Sequence, residues 1–234
     1  MILSAAENLN AYLDRLQPEQ RRSQLQHIMQ ATRHMGDLME NVLLLGRAEA
    51  GKLDFKPAPL DLAGFCERLA NQVSSATAGR CPIHFRLRPG SAGIPAGGSG
   101  TGVSPVRIEP HGRDARATTA ARGDESLLRH ILTNLLSNAV KYSAAGAPVE
   151  FTLEQTNGEA VFRVADHGIG IPAADQKQLF TAFHRGRNAG HLPGTGLGLV
   201  IARHCVQVHG GGITCESAEG VGTIFTVRLP LFGE

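Results

Sequence analysis

Residues 134–143 read NLLSNAVKYS, a stretch with two asparagines and a lysine at helical spacing. Asn134 and Asn138 are four residues apart, so they share one face of a predicted helix whose opposite face is apolar. An amide oxygen on that face can coordinate a hard cation such as Mg²⁺, and Lys141, one turn further, is placed to neutralise a phosphate. A polar helix face that ends in a cap explains the same residues, so the stretch needs support from elsewhere.

A second stretch, DHGIGIP at residues 166–172, directly follows a strand-like segment. Gly168 and Gly170 have no side chain, so the backbone there can approach a flat ligand closely. The carboxylate of Asp166 can accept a hydrogen bond from the exocyclic amine of adenine, which the carbonyl of guanine cannot offer. An ordinary Asp-Gly turn is the alternative interpretation.

A third stretch, GTGLGL at residues 194–199, runs into a predicted helix. Glycines beside a helix N-terminus leave backbone N–H groups free to bind phosphate. The stretch lacks the lysine of a P-loop. It is not a dinucleotide-binding GxGxxG motif either, because no strand immediately precedes Gly194 and Gly198 closes the pattern one residue early. A fourth stretch, GVGT at residues 220–223, is predicted to form a turn into the last strand.

The composition is that of a globular protein, since 42% of the 234 residues are hydrophobic and 19% are charged. No apolar run approaches the roughly 18–20 residues of a membrane helix, and Met1 opens no signal-peptide pattern. The four cysteines form no CxxC pair, which favours a reducing compartment, so we expect a soluble, cytoplasmic portion. The net charge of +2, without a basic stripe, argues against a nucleic-acid partner.

The N-terminal part is predicted to be a helical hairpin. Residues 1–14 read as the end of a helix, Pro18 suits the first turn of the next helix, and Gly51 suits its C-cap. Between them, seam residues recur at alternating spacings of three and four: Leu25, Ile28, Thr32, Met35, Met39 and Val42. Two helices alone cannot cover both faces of this seam, so we expect a homodimer through the hairpin.

The remaining segments alternate between strands and helices. Strands are predicted over residues 56–62, 83–87, 149–155, 160–165, 213–216 and 223–229, and helices over residues 63–75, 125–142 and 197–208. This mixture indicates an α+β fold: a two-layer α/β sandwich with a mixed sheet and helices on one face, preceded by the α-helical hairpin.

Residues 89–123 break every pattern, because twelve of these 35 residues are glycine or proline and none is leucine, phenylalanine or tyrosine. Such a segment cannot build a core of its own. We therefore expect a flexible insertion, to which the sequence assigns no chemistry.

These stretches resemble, in family order, the sequence boxes of sensor histidine kinases. Residues 134–143, 166–172, 180–185, 194–199 and 220–223 are similar to the N, G1, F, G2 and G3 boxes. The segment LGRAEAG at residues 45–51 resembles the end of the dimerisation hairpin that these kinases place upstream. The resemblance implies a truncated dimerisation and phosphoacceptor domain over residues 1–51. It also implies an ATP-binding catalytic domain of the Bergerat type (GHKL) over residues 52–234.

The resemblance also implies roles for single residues. Asp166 would hold adenine, Asn138 would hold Mg²⁺, and residues 180–194 would be an ATP lid whose Arg185 reaches phosphate on closure. The implied catalytic residues are Asn134, Asn138, Lys141 and Arg185. The implied nucleotide contacts are Asn134, Asn138, Lys141, Tyr142, Asp166, Gly168, Gly170, Ile171, Gly194, Thr195, Gly196, Leu197, Gly198, Leu199 and Thr223. In the family a short strand precedes the helix at 125–142, and we expect the insertion to replace it.

The acceptor of the family, a histidine in a box of His, Glu or Asp, Leu, Arg, Thr and Pro, is missing: none of the ten histidines lies in such a box. We therefore expect a truncated kinase in two-component signalling. It would transfer the γ-phosphate of ATP to a histidine not present in this chain. Its partners would be a second copy and the receiver domain of a response regulator, and it would meet a membrane only through an absent upstream region.

Three other interpretations stay open. An acceptorless, ATP-responsive dimerisation or scaffold module fits the missing histidine. A Bergerat-fold ATPase fits the boxes, but the gyrase, mismatch-repair and heat-shock-chaperone ATPases place a water-activating Glu where Asn134 stands, and an amide cannot act as a general base. A Ser/Thr anti-sigma kinase fits the boxes but not the helical hairpin.

Overall fold

The structure is a computed structural model that describes residues 17–89, 121–156, 158–190, 192 and 194–230. The helix predicted at residues 1–14 and most of the predicted insertion lie outside the described residues. No helix in the described ranges is both long enough and apolar enough to cross a membrane.

The first described element is a long helix, α1 (Pro18–Glu49). It begins as predicted with proline in its first turn, where the missing N–H has no intrahelical partner to lose. It ends before Gly51, whose positive φ of 64° suits the residue that follows a helix. The apolar seam side chains Leu25, Met35 and Met39 are exposed, as expected of a face that another helix covers.

The rest of the chain folds as an α+β unit. Its helices are α2 (Leu62–Ala76), α3 (Glu125–Tyr142), α4 (Ala173–Gln176) and α5 (Gly198–Val208). Its strands are β1 (Ala58–Leu60), β2 (Ile83–Pro89), β3 (Ala121–Gly123), β4 (Val149–Thr156), β5 (Glu159–Asp166), β6 (Gly212–Ala218) and β7 (Gly222–Pro230). A single 3₁₀ turn is described, at Arg187–Ala189.

The main sheet has five strands in the order β2-β4-β5-β7-β6. β2 is parallel to β4 and the other pairs are antiparallel, so the sheet is mixed. Along β5, Phe162 and Val164 are buried while Arg163 between them is exposed, which shows that one face of the sheet is covered. The apolar faces of α2, α3 and α5 supply that cover, and the predicted two-layer sandwich is confirmed.

The short strand β3 corrects the expected extent of the insertion. Ala121 pairs with Leu60 and Gly123 with Ala58 in an antiparallel ladder, which makes a separate two-stranded sheet of β1 and β3. Ala121 is 2% exposed, so its methyl group belongs to the core. The strand that the insertion was expected to replace is therefore present. β1 covers only three residues of the predicted 56–62.

Asp124 fixes the junction between this small sheet and α3. Its Oδ1 accepts hydrogen bonds from the backbone N–H groups of Ser126 (3.0 Å) and Leu127 (3.1 Å), which have no partner inside the helix. Its Oδ2 accepts the N–H of Lys56 at 2.9 Å. One buried carboxylate thus sets the start of α3 and the path of the segment that leads from α1.

The C-terminal half of α1 packs on this unit and contacts α5. Leu45 is buried in the core and Leu44 packs against it. These residues follow Asn41 by three and four positions and lie on the helix face opposite Met35 and Met39. One face of α1 therefore docks on the α+β unit while the seam points away from it.

Candidate nucleotide-binding site

A cavity of about 300 Å³ opens beside α3, between the loop that follows β5 and the loop that precedes α5. Residues from all five of the sequence boxes meet in its wall. The sequence-predicted site residues that line it are Asn134, Asn138, Lys141, Tyr142, Asp166, Gly170, Ile171, Arg185, Gly194, Thr195, Gly196, Gly198, Leu199 and Thr223.

Two predicted nucleotide contacts, Leu197 and Gly168, are not among the residues that line the cavity. The side chain of Leu197 is 0% exposed and fills the core beneath the start of α5. Gly168 lies against the end of α3, where an added Cβ would be 2.5 Å from the carbonyl oxygen of Tyr142. Both residues pack against neighbouring parts of the site, and their contact with a nucleotide stays a prediction.

The polar face of α3 forms one wall. Asn134, Ser137, Asn138 and Lys141 recur at the spacing of successive turns, while the leucines on the other face are buried. The Nδ2 of Asn134 donates to the carbonyl oxygen of His130 at 2.8 Å, which fixes the amide and leaves Oδ1 turned toward Gly198. The helix therefore presents the Asn134 amide oxygen in a defined orientation.

Asp166 ends β5 and is only 9% exposed. Its Oδ1 accepts the N–H groups of Gly168 at 2.9 Å and Thr223 at 3.2 Å. Among the described residues its Oδ2 has no hydrogen-bond partner. Burial raises the pKa of this carboxyl above its usual value, and the two N–H groups oppose that shift. The second oxygen is thus an acceptor at the cavity wall that a ligand amine can satisfy.

The loop after β5 depends on a glycine at position 170. Its φ is 62°, and an added Cβ would overlap the carbonyl of Ala218 in β6. The N–H of Gly220 donates to the carbonyl oxygen of Ile169 at 2.8 Å, so the loop lies directly against the β6–β7 turn. This close packing of two backbones leaves no room for a side chain at position 170.

Cationic side chains lie at the glycine-rich loop. The Lys141 Nζ donates to the Tyr142 hydroxyl at 2.9 Å and lies 4.4 Å from the centre of its ring. A Cβ on Gly194 would be 2.5 Å from the same nitrogen, so the ammonium sits against the loop backbone. Arg185 lines the cavity, but its Nη2 donates to the carbonyl oxygens of Gly190 and Leu192. It must leave these partners to reach a phosphate.

The cavity suits a cation that shares its ligands with a nucleotide. Asn138 offers an amide oxygen, which is a ligand type that Mg²⁺ accepts alongside water and phosphate oxygens. Within the described ranges no cluster of three or more His, Cys, Asp or Glu side chains is arranged to hold a metal. Mg²⁺ at Asn138 would therefore take most of its other ligands from phosphate oxygens and water.

The cavity wall includes residues that the sequence argument missed: Asp37, Asn41, Ser137, Ile169, Leu179, His184, Gly186, Asn188, Ala189 and Phe225. Ser137 was available from sequence, because it lies three residues after Asn134 on the same helix face. Asp37 and Asn41 were not, since they reach the cavity only through the docking of α1. Asn188 lies outside the boxes, and its place depends on the path of the 3₁₀ turn.

Comparison with known proteins agrees with this geometry. Residues 123–233 match the family described as histidine kinase-, DNA gyrase B- and HSP90-like ATPase. The chain is 31% identical over 215 residues to the circadian input-output histidine kinase CikA of Synechococcus elongatus, covering 91% of this chain and 25% of CikA. It is 42% identical over 117 residues to the sensor histidine kinase RppB of Synechocystis sp., covering 48% of this chain and 25% of RppB.

The fold is also similar to the crystal structure of full-length ShkA in complex with AMPPNP, with a TM-score of 0.67 and 25% identity over 94% of this chain and 40% of ShkA. The chain spans a quarter of the length of the curated relatives CikA and RppB. The matched region contains α3, the loop after β5 and α5, which together form the cavity. The chain therefore belongs with the sensor histidine kinases, and its residues 123–233 form the histidine kinase-, DNA gyrase B- and HSP90-like ATPase domain.

Proposed function

We propose that the chain binds ATP with Mg²⁺ in this cavity and transfers the γ-phosphate to a histidine on a segment outside this sequence, in two-component signalling. The observation that carries the proposal is the convergence of Asn134, Asn138, Lys141 and Asp166 on one cavity. The set contains a carboxylate acceptor for the amine of adenine, amide oxygens for a hard cation and an ammonium for phosphate.

The residues act by positioning and by neutralising charge. In the transfer, the bond between the γ-phosphorus and the bridging oxygen of ADP breaks as a bond to an imidazole nitrogen forms. Lys141 and the N–H groups at the start of α5 stabilise the phosphate oxygens. Asn138 would hold Mg²⁺, which would supply further neutralisation of the phosphate charge. Asn134 has no basic group to activate water, so the site favours transfer to a protein over hydrolysis.

Labelled ATP tests this function directly. The chain is incubated with γ-labelled ATP, Mg²⁺ and a separately purified helical hairpin that carries a histidine box. We expect label on the hairpin, and we expect Asn138→Ala to abolish it. Absence of ATP binding at millimolar Mg²⁺ would overturn the proposal. Steady phosphate release that needs Asn138, with no labelled protein, would favour an ATPase instead.

We further propose that the exposed seam of α1 joins two copies of the chain. Leu25, Met35 and Met39 are exposed large apolar side chains on the face turned away from the docked residues Leu44 and Leu45. Met39→Glu places a charge in the seam, so the mass in light scattering should fall to that of a monomer. Met39→Leu, the control, should stay dimeric. A dimer that persists in Met39→Glu contradicts this interface.

The same seam favours a second candidate, an ATP-responsive dimerisation or scaffold module. It predicts a dimer and nucleotide binding without label transfer in any pairing, so the labelled-ATP experiment separates the two candidates. For the kinase we propose the receiver domain of a response regulator as the next phosphate acceptor. A cytoplasmic site of action is supported by the four free cysteines, Cys66, Cys81, Cys205 and Cys215.

A further inference from the structure

Asp175 is a carboxylate in an unusual place for a charged side chain. It lies in the short helix α4 and its side chain is 5% exposed, whereas that of its ion-pair partner Arg187 is 81% exposed. The Arg187 Nε is 3.6 Å from Oδ1, but the backbone N–H of Arg187 donates to Oδ2 at 2.8 Å. The shorter contact is the part-buried one to the backbone. Asp175 therefore holds the start of the 3₁₀ turn.

Asn188, the next residue in that turn, reaches across to the loop after β5. Its Nδ2 donates to the carbonyl oxygen of Gly170 at 2.9 Å and more weakly to that of Ile169 at 3.4 Å. All three residues line the cavity. A Cβ on Gly186 would be 3.2 Å from the Asn188 Oδ1 and 3.7 Å from the Asp175 Oδ2, so the two side chains converge on position 186.

The loop is held from its other end as well. The Gln176 Nε2 donates to the carbonyl oxygens of Ile171 and Ser217, each at 2.9 Å. The N–H of Ile171 donates to the Ser217 hydroxyl at 2.9 Å. Gln176 thus ties the loop to β6, and Asn188 ties it to the 3₁₀ turn. The carbonyl groups of residues 169–171 all have partners, so the position of the loop is set by side chains from outside it.

We propose that Asp175 and Asn188 form a clamp that joins the 3₁₀ turn to the loop at residues 169–171 and thereby fixes the wall of the cavity near Asp166. They are positioning residues for an adenine nucleotide, because they act through the loop and not on the phosphates. This inference rests on the proposed binding of adenine at Asp166. It assigns a specificity function to two residues that lie outside the glycine-rich boxes.

The clamp predicts different effects for two substitutions at position 188. Asn188 donates to two carbonyl oxygens, so alanine removes those bonds, whereas aspartate directs negative oxygens at the same carbonyls. Asn188→Asp should therefore weaken binding more than Asn188→Ala. At position 175, asparagine keeps an acceptor for the Arg187 N–H and alanine does not. Asp175→Asn should therefore resemble the native protein more closely than Asp175→Ala.

The test measures the dissociation constants of ATP, ADP and GTP by calorimetry on the full chain with Mg²⁺. We expect Asn188→Ala to raise the dissociation constants of ATP and ADP by the same factor, about 3- to 10-fold, and to lower the preference for ATP over GTP. Arg187→Met is the matched control, since it removes the exposed ion pair and keeps the N–H donor; it should stay within about twofold. Thermal unfolding without nucleotide checks that each variant is folded.

Three outcomes overturn the clamp: ATP and ADP binding unchanged in Asn188→Ala, Asn188→Asp binding as tightly as the native chain, or a loss confined to ATP. A loss confined to ATP would make Asn188 a phosphate contact. If Asp175→Ala fails to fold, the pair at position 188 decides the question alone. If the native chain binds neither ATP nor ADP, the proposed function fails together with the clamp.

Discussion

The side-chain amide of Asn134 in α3 occupies the space in which a Cβ at position 198 would lie. Gly198 opens α5, so the absence of a side chain there lets the N-terminus of one helix approach the polar face of another. Asn134 cannot move freely out of the way, because its Nδ2 is bonded to the carbonyl oxygen of His130. The glycine and the asparagine therefore form one structural unit of the site.

Gly198→Ala should displace the Asn134 amide or shift the start of α5. Either change separates the amide oxygens from the N–H groups proposed to bind phosphate, so we expect ATP affinity to fall about 10-fold or more. The measurement is ATP binding by calorimetry. Gly46→Ala is the matched control, since an added Cβ at that position in α1 meets nothing within 4 Å. Equal ATP affinity in the two variants would contradict the coupling of Gly198 to Asn134.

Asp166→Asn should invert the base preference of the cavity. Oδ1 already accepts two backbone N–H groups, so the asparagine must place its oxygen there and turn Nδ2 toward the ligand. A donor then faces the amine of adenine but suits the carbonyl of guanine. We expect ATP affinity to fall about 10- to 100-fold and the ATP-to-GTP preference to fall with it, measured by competition. Retained preference for ATP would place the base elsewhere.

The same carboxyl predicts how nucleotide binding depends on pH. Burial raises the pKa of Asp166, and only the ionised form accepts hydrogen bonds at both oxygens. As the pH falls toward this raised pKa, protonation removes an acceptor, so ADP affinity should weaken at a higher pH than an ordinary aspartate would cause. Calorimetric titrations of ADP between pH 7.5 and pH 5, in steps of about one pH unit, test this expectation. Asp166→Asn should bind more weakly and show a flatter dependence.

Sequence periodicity predicted the helix that carries the site, but it could not predict what closes the site. The bounds of α3 agree with the prediction because Asp124 caps its start and its leucines repeat at helical spacing. The same spacing placed Asn134 and Asn138 on one face. By contrast, Asp37 enters the cavity from α1, and Asn188 enters from a single 3₁₀ turn. Those positions depend on tertiary packing, which leaves no period in the sequence.

The short strand β3 was missed for a related reason. Three residues are too few for an alternating pattern, and the glycine- and proline-rich context on the N-terminal side favours a loop. What makes Ala121 a strand residue is the distant partner Leu60 and the burial of its methyl group. Long-range pairing of this kind overrides local composition.

His209 predicts a loss of stability in mild acid. Its ring is buried, its Nδ1 lies 2.9 Å from the carbonyl oxygen of Cys205 and its Nε2 accepts the Asp124 N–H at 3.4 Å, which requires the neutral ring. Burial lowers its pKa in the folded chain, so the unfolded chain binds the proton more tightly. The free energy of unfolding should therefore fall as pH drops below the ordinary histidine pKa of about 6.5.

The variant His209→Asn isolates this contribution, since its amide can still donate to the carbonyl oxygen of Cys205 but does not titrate. We expect lower stability at pH 7.5, because the ring contact with Phe55 at 4.9 Å is lost. We also expect a slope against pH smaller by up to about 1.4 kcal/mol per pH unit. Half-buried His130 has a lowered pKa and adds a slope of the same sign, so urea unfolding must compare variant with native chain. Equal slopes in the variant and the native chain would show that His209 does not contribute to the pH dependence of stability.

Lys141→Met should weaken the binding of nucleotides, and the loss of affinity should grow with the number of phosphates. The Nζ lies against the backbone at Gly194 and bonds to the Tyr142 hydroxyl, so it is fixed beside the glycine-rich loop that we propose to hold the phosphates. Removing the charge should lower the affinity for ATP about 10-fold, lower that for ADP less, and leave that for adenosine almost unchanged. It should also reduce the salt dependence of ATP binding. Lys177→Met is the control, because Lys177 is exposed and outside the cavity wall. An equal loss for adenosine and ATP would show that Lys141 supports the pocket structurally and does not bind phosphate.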